Sequence, residues 1–130
     1  MELLEENLEK IMCHPDVKEN PVQIISIAGA FRKGKSFIMG FFLKYLVAQQ
    51  QDCEWLNEND KIEGFHWRGG SDRVTSGIHI WSKPLVYEKE SGKKVAVLLM
   101  DTQGIFDNEA TFEDCTCIFA LSNLISSVQV

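Results

Sequence analysis

Residues 29–36 constrain this chain more tightly than any other stretch. Gly29-Ala30-Phe31-Arg32-Lys33-Gly34-Lys35-Ser36 places two glycines, a lysine and a hydroxyl at the spacing of a phosphate loop. Such a loop works only in a particular setting. A buried strand must deliver the chain into it and a helix must leave it, so that backbone N–H groups and the positive helix end converge on one anion. Both flanks are present. Val22, Ile24, Ile25 and Ile27 form an uncharged, branched run interrupted by Gln23 and Ser26, which predicts a strand largely buried in an α/β sheet. After the loop, Phe37, Phe41 and Tyr45 recur every four residues with Ile38, Phe42 and Leu46 alongside, the pattern of a helix with a very wide apolar face. In that setting Lys35 reaches the terminal phosphates of a nucleotide and Ser36 ligates magnesium. Without it, the run would be a glycine-rich turn carrying solvated basic residues.

A magnesium ion needs a second anchor. Val95-Ala96-Val97-Leu98-Leu99-Met100-Asp101-Thr102-Gln103-Gly104 supplies an apolar strand that ends on a carboxylate, with a glycine three residues on. Asp101 is expected to hold magnesium through water, and the Gly104 N–H to sense a γ-phosphate. Alone, Asp-x-x-Gly marks a turn; behind a buried strand and downstream of a phosphate loop it gains a second meaning. A third part is a loop hydroxyl that closes on the metal. Thr75, two residues before Gly77 and the strand that follows, stands where such a ligand is needed, although a threonine can simply open a strand. The expected fold class is therefore α/β, a P-loop NTPase with a mixed sheet flanked by helices.

Composition agrees with one folded unit. At 130 residues, 45% hydrophobic and 25% charged, the chain has the make-up of a single modest globular domain and not of a collagen-like, mucin-like or disordered one. A formal net charge of -6 argues against nucleic acid as a partner. The charge is uneven, however. Residues 1–20 carry six acids against two lysines, whereas residues 29–44 hold Arg32, Lys33, Lys35 and Lys44 with no acid. Cys115 and Cys117 lack the spacing of a zinc or redox pair, and Cys13 and Cys53 lie far from both, so all four are expected to be structural, reduced thiols. The charge-free run 115–130 is sixteen residues long and interrupted by Thr116, Ser122, Asn123, Ser126, Ser127 and Gln129. A membrane span wants about 20 mostly apolar residues, so the chain as given is not expected to cross a bilayer.

The remaining segments place these motifs. Leu4, Leu8 and Ile11, with Met12 beside them, predict a short amphipathic helix over residues 2–12, broken at His14-Pro15-Asp16. Residues 49–64 turn acidic and polar, and the charged stretch 68–73 continues that excursion. A strand over 78–82, extending past Pro84 toward Tyr87, and a strand over 95–100 are separated by a turn at 89–92 and expected to pair as a hairpin. Residues 111–123 read as a helix and 127–130 as the start of an extended segment.

Four of these stretches together resemble the GTPase domain of the atlastins. They are the phosphate loop through Phe37, Phe65-His66-Trp67-Arg68-Gly69-Gly70-Ser71, Gly77-Ile78-His79-Ile80-Trp81-Ser82, and Leu99-Met100-Asp101-Thr102-Gln103-Gly104. Atlastins are dynamin-superfamily relatives of the guanylate-binding proteins that tether and fuse endoplasmic-reticulum membranes. The resemblance implies a dynamin-like large GTPase domain, truncated here, with its phosphate loop at 29–36, switch I at about 64–77 and switch II at about 101–110. It implies that GTP is bound with Mg2+ and hydrolysed as two GTPase domains pair, and that the full-length family works at the cytosolic face of the endoplasmic reticulum. This chain alone is expected to be soluble, its membrane contact depending on segments absent from it. Arg32 matches an internal arginine finger, and Thr75 the switch threonine. Gly29, Phe31, Lys33, Gly34, Phe37, Gln103 and Gly104 would complete the nucleotide site, and Arg68 would cross a homodimer interface or remain a solvated loop charge. Small GTPases carry a water-orienting glutamine just after the Asp-x-x-Gly glycine; Ile105 stands there instead, so hydrolysis should be slow without a partner.

The departures from the family are equally specific. The guanine-reading Arg-Asp element, the capping loop, the helical middle domain and the paired transmembrane segments are not in this sequence, and Val130 ends inside an apolar stretch, as though cut. No residue present distinguishes GTP from ATP. The alternative to a membrane-remodelling GTPase is a catalytically weak fragment or isoform that binds phosphates or a full-length partner.

Overall fold

The structure, a computed structural model, describes residues 3–29, 34–51, 53–54, 56, 61, 77–102 and 111–130. Along them run α1 (Glu5–Met12), α2 (Pro15–Glu19), β1 (Val22–Ile27), α3 (Lys35–Gln51), β2 (Ile78–Ile80), β3 (Leu85–Glu88), β4 (Lys94–Thr102), α4 (Phe112–Ile125) and β5 (Val128–Gln129). The sheet is mixed. β4 lies parallel to β1, which is parallel in turn to β5, while β2 and β3 run antiparallel along the other edge of β4.

β4 is the axis of the sheet, and its sequence explains why. Every residue from Val95 to Thr102 is buried, so the strand has no polar face to show to water, as expected where helices cover both sides. Alternation splits those side chains between two clusters. Val95, Val97 and Leu99 pack with Ile27, Leu85 and the α3 residues Met39, Leu43 and Leu46. Ala96 and Leu98 pack on the opposite face with Ile11 of α1 and Val17 of α2. Full burial of a side chain such as Met39, Leu98 or Leu99 contributes about 1.5–3 kcal/mol, so these two clusters dominate the stability of the described fold.

α4 joins α1 and α2 on the second face through polar groups. Ser26 of β1 is fully buried, and a buried hydroxyl without a partner costs about 1–3 kcal/mol. The Ser126 hydroxyl meets Ser26 Oγ at 2.6 Å, and Gln129 donates to Ser122 Oγ at 3.0 Å. The C-terminal segment is also tied to β1 by its backbone, with Ser127 N–H to Ile24 C=O at 2.8 Å and Val130 N–H to Ser26 C=O at 2.9 Å. Thr111 caps α4 by accepting from the Asp114 N–H at 3.1 Å, a contact of the kind worth about 1 kcal/mol.

Several sequence expectations need adjustment. Helix α1 starts at Glu5, and the break at His14-Pro15 is itself the start of α2, because Pro15 occupies the first helical turn and His14 Nδ1 accepts from the Asp16 N–H at 3.3 Å. The predicted single strand through Pro84 is two, β2 and β3, both paired with β4. Only β3 makes the expected hairpin, closed by the Lys89 N–H to Lys93 C=O bond at 2.9 Å. Within the wide apolar face expected of α3, Met39, Leu43 and Leu46 are the residues buried against the sheet, with Phe42 packed beside them and Tyr45 exposed. β4 runs on past Met100, so Asp101 and Thr102 lie inside the strand. The polar excursion over 49–64 begins in the last turn of α3, and most of the rest of it lies outside the described residues, as does 68–73. All four cysteines are free thiols, with Cys115 buried and the others exposed.

Candidate functional site

The site forms where β1 and β4 end side by side. Their parallel register sets Ile27 next to Asp101, so the chain leaving β1 for the loop departs beside that carboxylate. Crevices at the carboxyl ends of parallel strands are where open α/β sheets bind ligands. The ends are pinned together, since the Thr102 hydroxyl donates to the Ile27 carbonyl at 2.7 Å. Sequence reading gave Thr102 no role; its only signal was a hydroxyl immediately after the strand's carboxylate.

Gly29 follows the end of β1, and Gly34 precedes the first residue of α3. Gly29 has φ +154° and Gly34 φ +75°, backbone conformations that side-chain-bearing residues rarely adopt. Gly34 then accepts the first bond of α3, from the Ile38 N–H at 3.0 Å. The first turn of α3 holds no acidic residue of its own, so the helix itself brings no carboxylate to its positive end.

That first turn meets β4 directly. The Ser36 hydroxyl donates to Asp101 Oδ2, joining two residues 65 positions apart in sequence. Asp101 is 1% exposed, so its carboxylate is committed to this junction and not to bulk water. Lys35 is half-buried beside it. Burial pushes its ammonium below the ordinary 10.5, and the neighbouring Asp101 charge pulls it part of the way back. Phe37 packs edge-on against Phe41, ring centroids 5.0 Å apart, which ties the next residue of the turn to the helix body.

The junction thus brings together Gly29, Gly34, Lys35, Ser36, Phe37 and Asp101. Phe31, Arg32, Lys33, Arg68, Thr75, Gln103 and Gly104 lie outside the described residues. Chemically, a lysine, a helix N-terminus and a loop opened by glycines make an anion site, and a hydroxyl with a carboxylate makes a pair of hard oxygen donors. Ser36 and Asp101 therefore fit a small divalent cation such as Mg2+, which is bound by one or two carboxylates and otherwise by water and phosphate.

The chain also has relatives among known proteins. The family model described as guanylate-binding protein, N-terminal domain, matches residues 1–130. Atlastin-3 of Homo sapiens is 51% identical over 132 residues, covering 99% of this chain and 24% of that protein. Atlastin-1 of Macaca fascicularis is 51% identical over 130 residues, and the Drosophila melanogaster atlastin 46% identical over 132 residues. The chain spans about a quarter of the length of the curated relatives it matches.

Lys35 gives a sign-definite pH test. Its folded-state pKa is lowered, so between that value and 10.5 the unfolded chain binds more protons and stability rises with pH; below the folded pKa the whole penalty is present. Lys35→Met removes the penalty. The variant should need more urea to unfold than the native chain at pH 7, with the two midpoints converging as the pH approaches 10.5. A variant less stable at pH 7 would contradict the desolvation reading.

Proposed function

The chain belongs to the family of guanylate-binding protein N-terminal domains, and from that premise we propose that it binds GTP with Mg2+ and hydrolyses it in the manner of a P-loop, dynamin-like GTPase. The observation that carries this reading is the bond from Ser36 to Asp101, because it unites the end of the phosphate loop with the Asp-x-x-Gly segment. The domain organisation follows as phosphate loop 29–36, switch I at about 64–77 and switch II at about 101–110.

Each residue has a physical task in that reading. The loop backbone between Gly29 and Gly34 wraps the phosphates, Lys35 neutralises their terminal charge, and the N-terminus of α3 adds positive potential. Ser36 and Asp101, with Thr75 from switch I, would hold Mg2+, which supplies charge neutralisation at the β- and γ-phosphates. Phe31, Lys33 and Phe37 line the nucleotide, and Gln103 and Gly104 approach its γ-phosphate. Arg32 acts as an internal arginine finger when two domains face each other, and Arg68 lies at that contact. Partner-dependent chemistry suits Ile105, an aliphatic residue where a water-orienting glutamine would stand.

The relatives named atlastin extend the proposal to biology. Homotypic pairing of GTPase domains, driven by the nucleotide cycle, would tether and fuse endoplasmic-reticulum membranes from their cytosolic side. Among the described residues no helix is long and apolar enough to cross a membrane, so in this reading membrane attachment belongs to other segments.

Two measurements test the reading. Equilibrium binding should show GTP favoured over ATP and strengthened by Mg2+; equal or absent affinity for both would remove the guanine assignment. Arg32→Ala should lower partner-stimulated turnover by about 10³-fold or more while nucleotide binding stays measurable. Unchanged stimulated turnover would rule out the finger, and binding without any turnover in the native chain would favour a phosphate-binding module over an enzyme.

A further inference from the structure

β2 brings one polar residue to the site that the nucleotide reading leaves without a task. His79 lies directly opposite Asp101 in the antiparallel β2–β4 ladder, between the pairs Ile78 with Thr102 and Ile80 with Met100. Directly opposed residues project from the same face of a sheet, with Cβ atoms about 4.5–5.5 Å apart. For Asp101 that face is the one covered by α3, since Ser36 of α3 bonds its carboxylate. His79 is exposed where Asp101 is buried, so it stands at the solvent lip of the same junction.

The placement is fixed by packing on both faces of the sheet just after His79. Ile80 packs against the cluster beneath α1 and α2, whereas Trp81 packs against the α3 cluster. The Trp81 N–H also donates to the Leu99 carbonyl at 2.9 Å. A one-residue slip would turn Ile80 and Trp81 onto the wrong faces and carry His79 away from Asp101. The register that packs these two apolar side chains onto their clusters is therefore the register that sets His79 opposite Asp101.

An imidazole offers an N–H donor, and a carboxylate accepts up to about four hydrogen bonds. Ser36 reaches the Asp101 carboxylate from the helix above the sheet, and His79 stands opposite Asp101 in the neighbouring strand. We propose that His79 is a positioning residue for the cation-binding carboxylate, holding Asp101 in the orientation in which it serves a divalent ion. The inference rests on the magnesium–nucleotide reading above. Partners of this kind fix the orientation of ligating groups, and their loss typically costs about 10–100-fold in metal affinity.

The test uses His79→Phe, which keeps a ring without a donor, and His79→Gln, which keeps an N–H donor. The readout is the gain in GTP affinity on adding Mg2+. In His79→Phe that gain should fall about 10-fold or more, with Mg2+-free affinity as in the native chain, and His79→Gln should recover most of it. A gain of native size in His79→Phe, or an equal loss in both variants, overturns the proposal. A second measurement needs no nucleotide: urea unfolding of the native chain, His79→Phe, Asp101→Asn and the double variant. Non-additive midpoints are expected, and additive ones overturn the proposal alone. A native chain with no Mg2+-dependent binding would instead overturn the nucleotide reading and, with it, the role assigned to His79.

Discussion

The parallel pairing of β1 with β4 is the constraint on which the site depends. It sets Ile27 beside Asp101, and the Thr102 hydroxyl locks the two strand ends at the Ile27 carbonyl. The loop leaving β1 then has to return to the sheet above Asp101, which it does through Gly34 and the first turn of α3. Were the register shifted by one residue, Asp101 would face α1 and α2, and Ser36 would meet Met100 or Thr102 in its place. The same alternation that buries Val95, Val97 and Leu99 under α3 thus decides which face the carboxylate takes. Core packing and site geometry are one problem in this fold.

Electrostatics sets this junction apart from the rest of the described fold. A buried carboxylate and a half-buried ammonium are each costly to desolvate, and Asp101 offsets only part of the Lys35 penalty. The acid-free first turn of α3 adds positive potential at the same place. Ammonium groups shifted by burial, as Lys35 is, cluster at functional sites. In the proposed function a phosphate group would face the lysine and the helix end, and a divalent cation the carboxylate and hydroxyl.

What could be read from sequence was the chemistry that is local along the chain. The glycine spacing, Lys35, Ser36 and the strand-borne Asp101 are contiguous signals, and the structure brings those that lie within its described residues to one place. Features set by contacts distant in sequence were not legible. α3 is apolar nearly all round, so periodicity could not choose between the aromatic row and the Met39, Leu43 and Leu46 stripe that meets the sheet. Ser26 looked like an interruption in a strand; it is a buried anchor whose partner, Ser126, lies 100 residues away. His14-Pro15 has the residues of a stop and of a start, and only the cap on Asp16 shows which applies. His79 gains meaning solely from a cross-strand register.

In the proposed function Ser36 and Asp101 form the cation half of a phosphate site. Its most direct test is the Mg2+ dependence of GTP affinity in the native chain and in Asp101→Asn. Replacing the carboxylate by an amide should abolish most of the Mg2+-induced gain, while Mg2+-free affinity holds or improves because a negative charge near the phosphates is gone. A gain of the same size in both proteins would contradict the account.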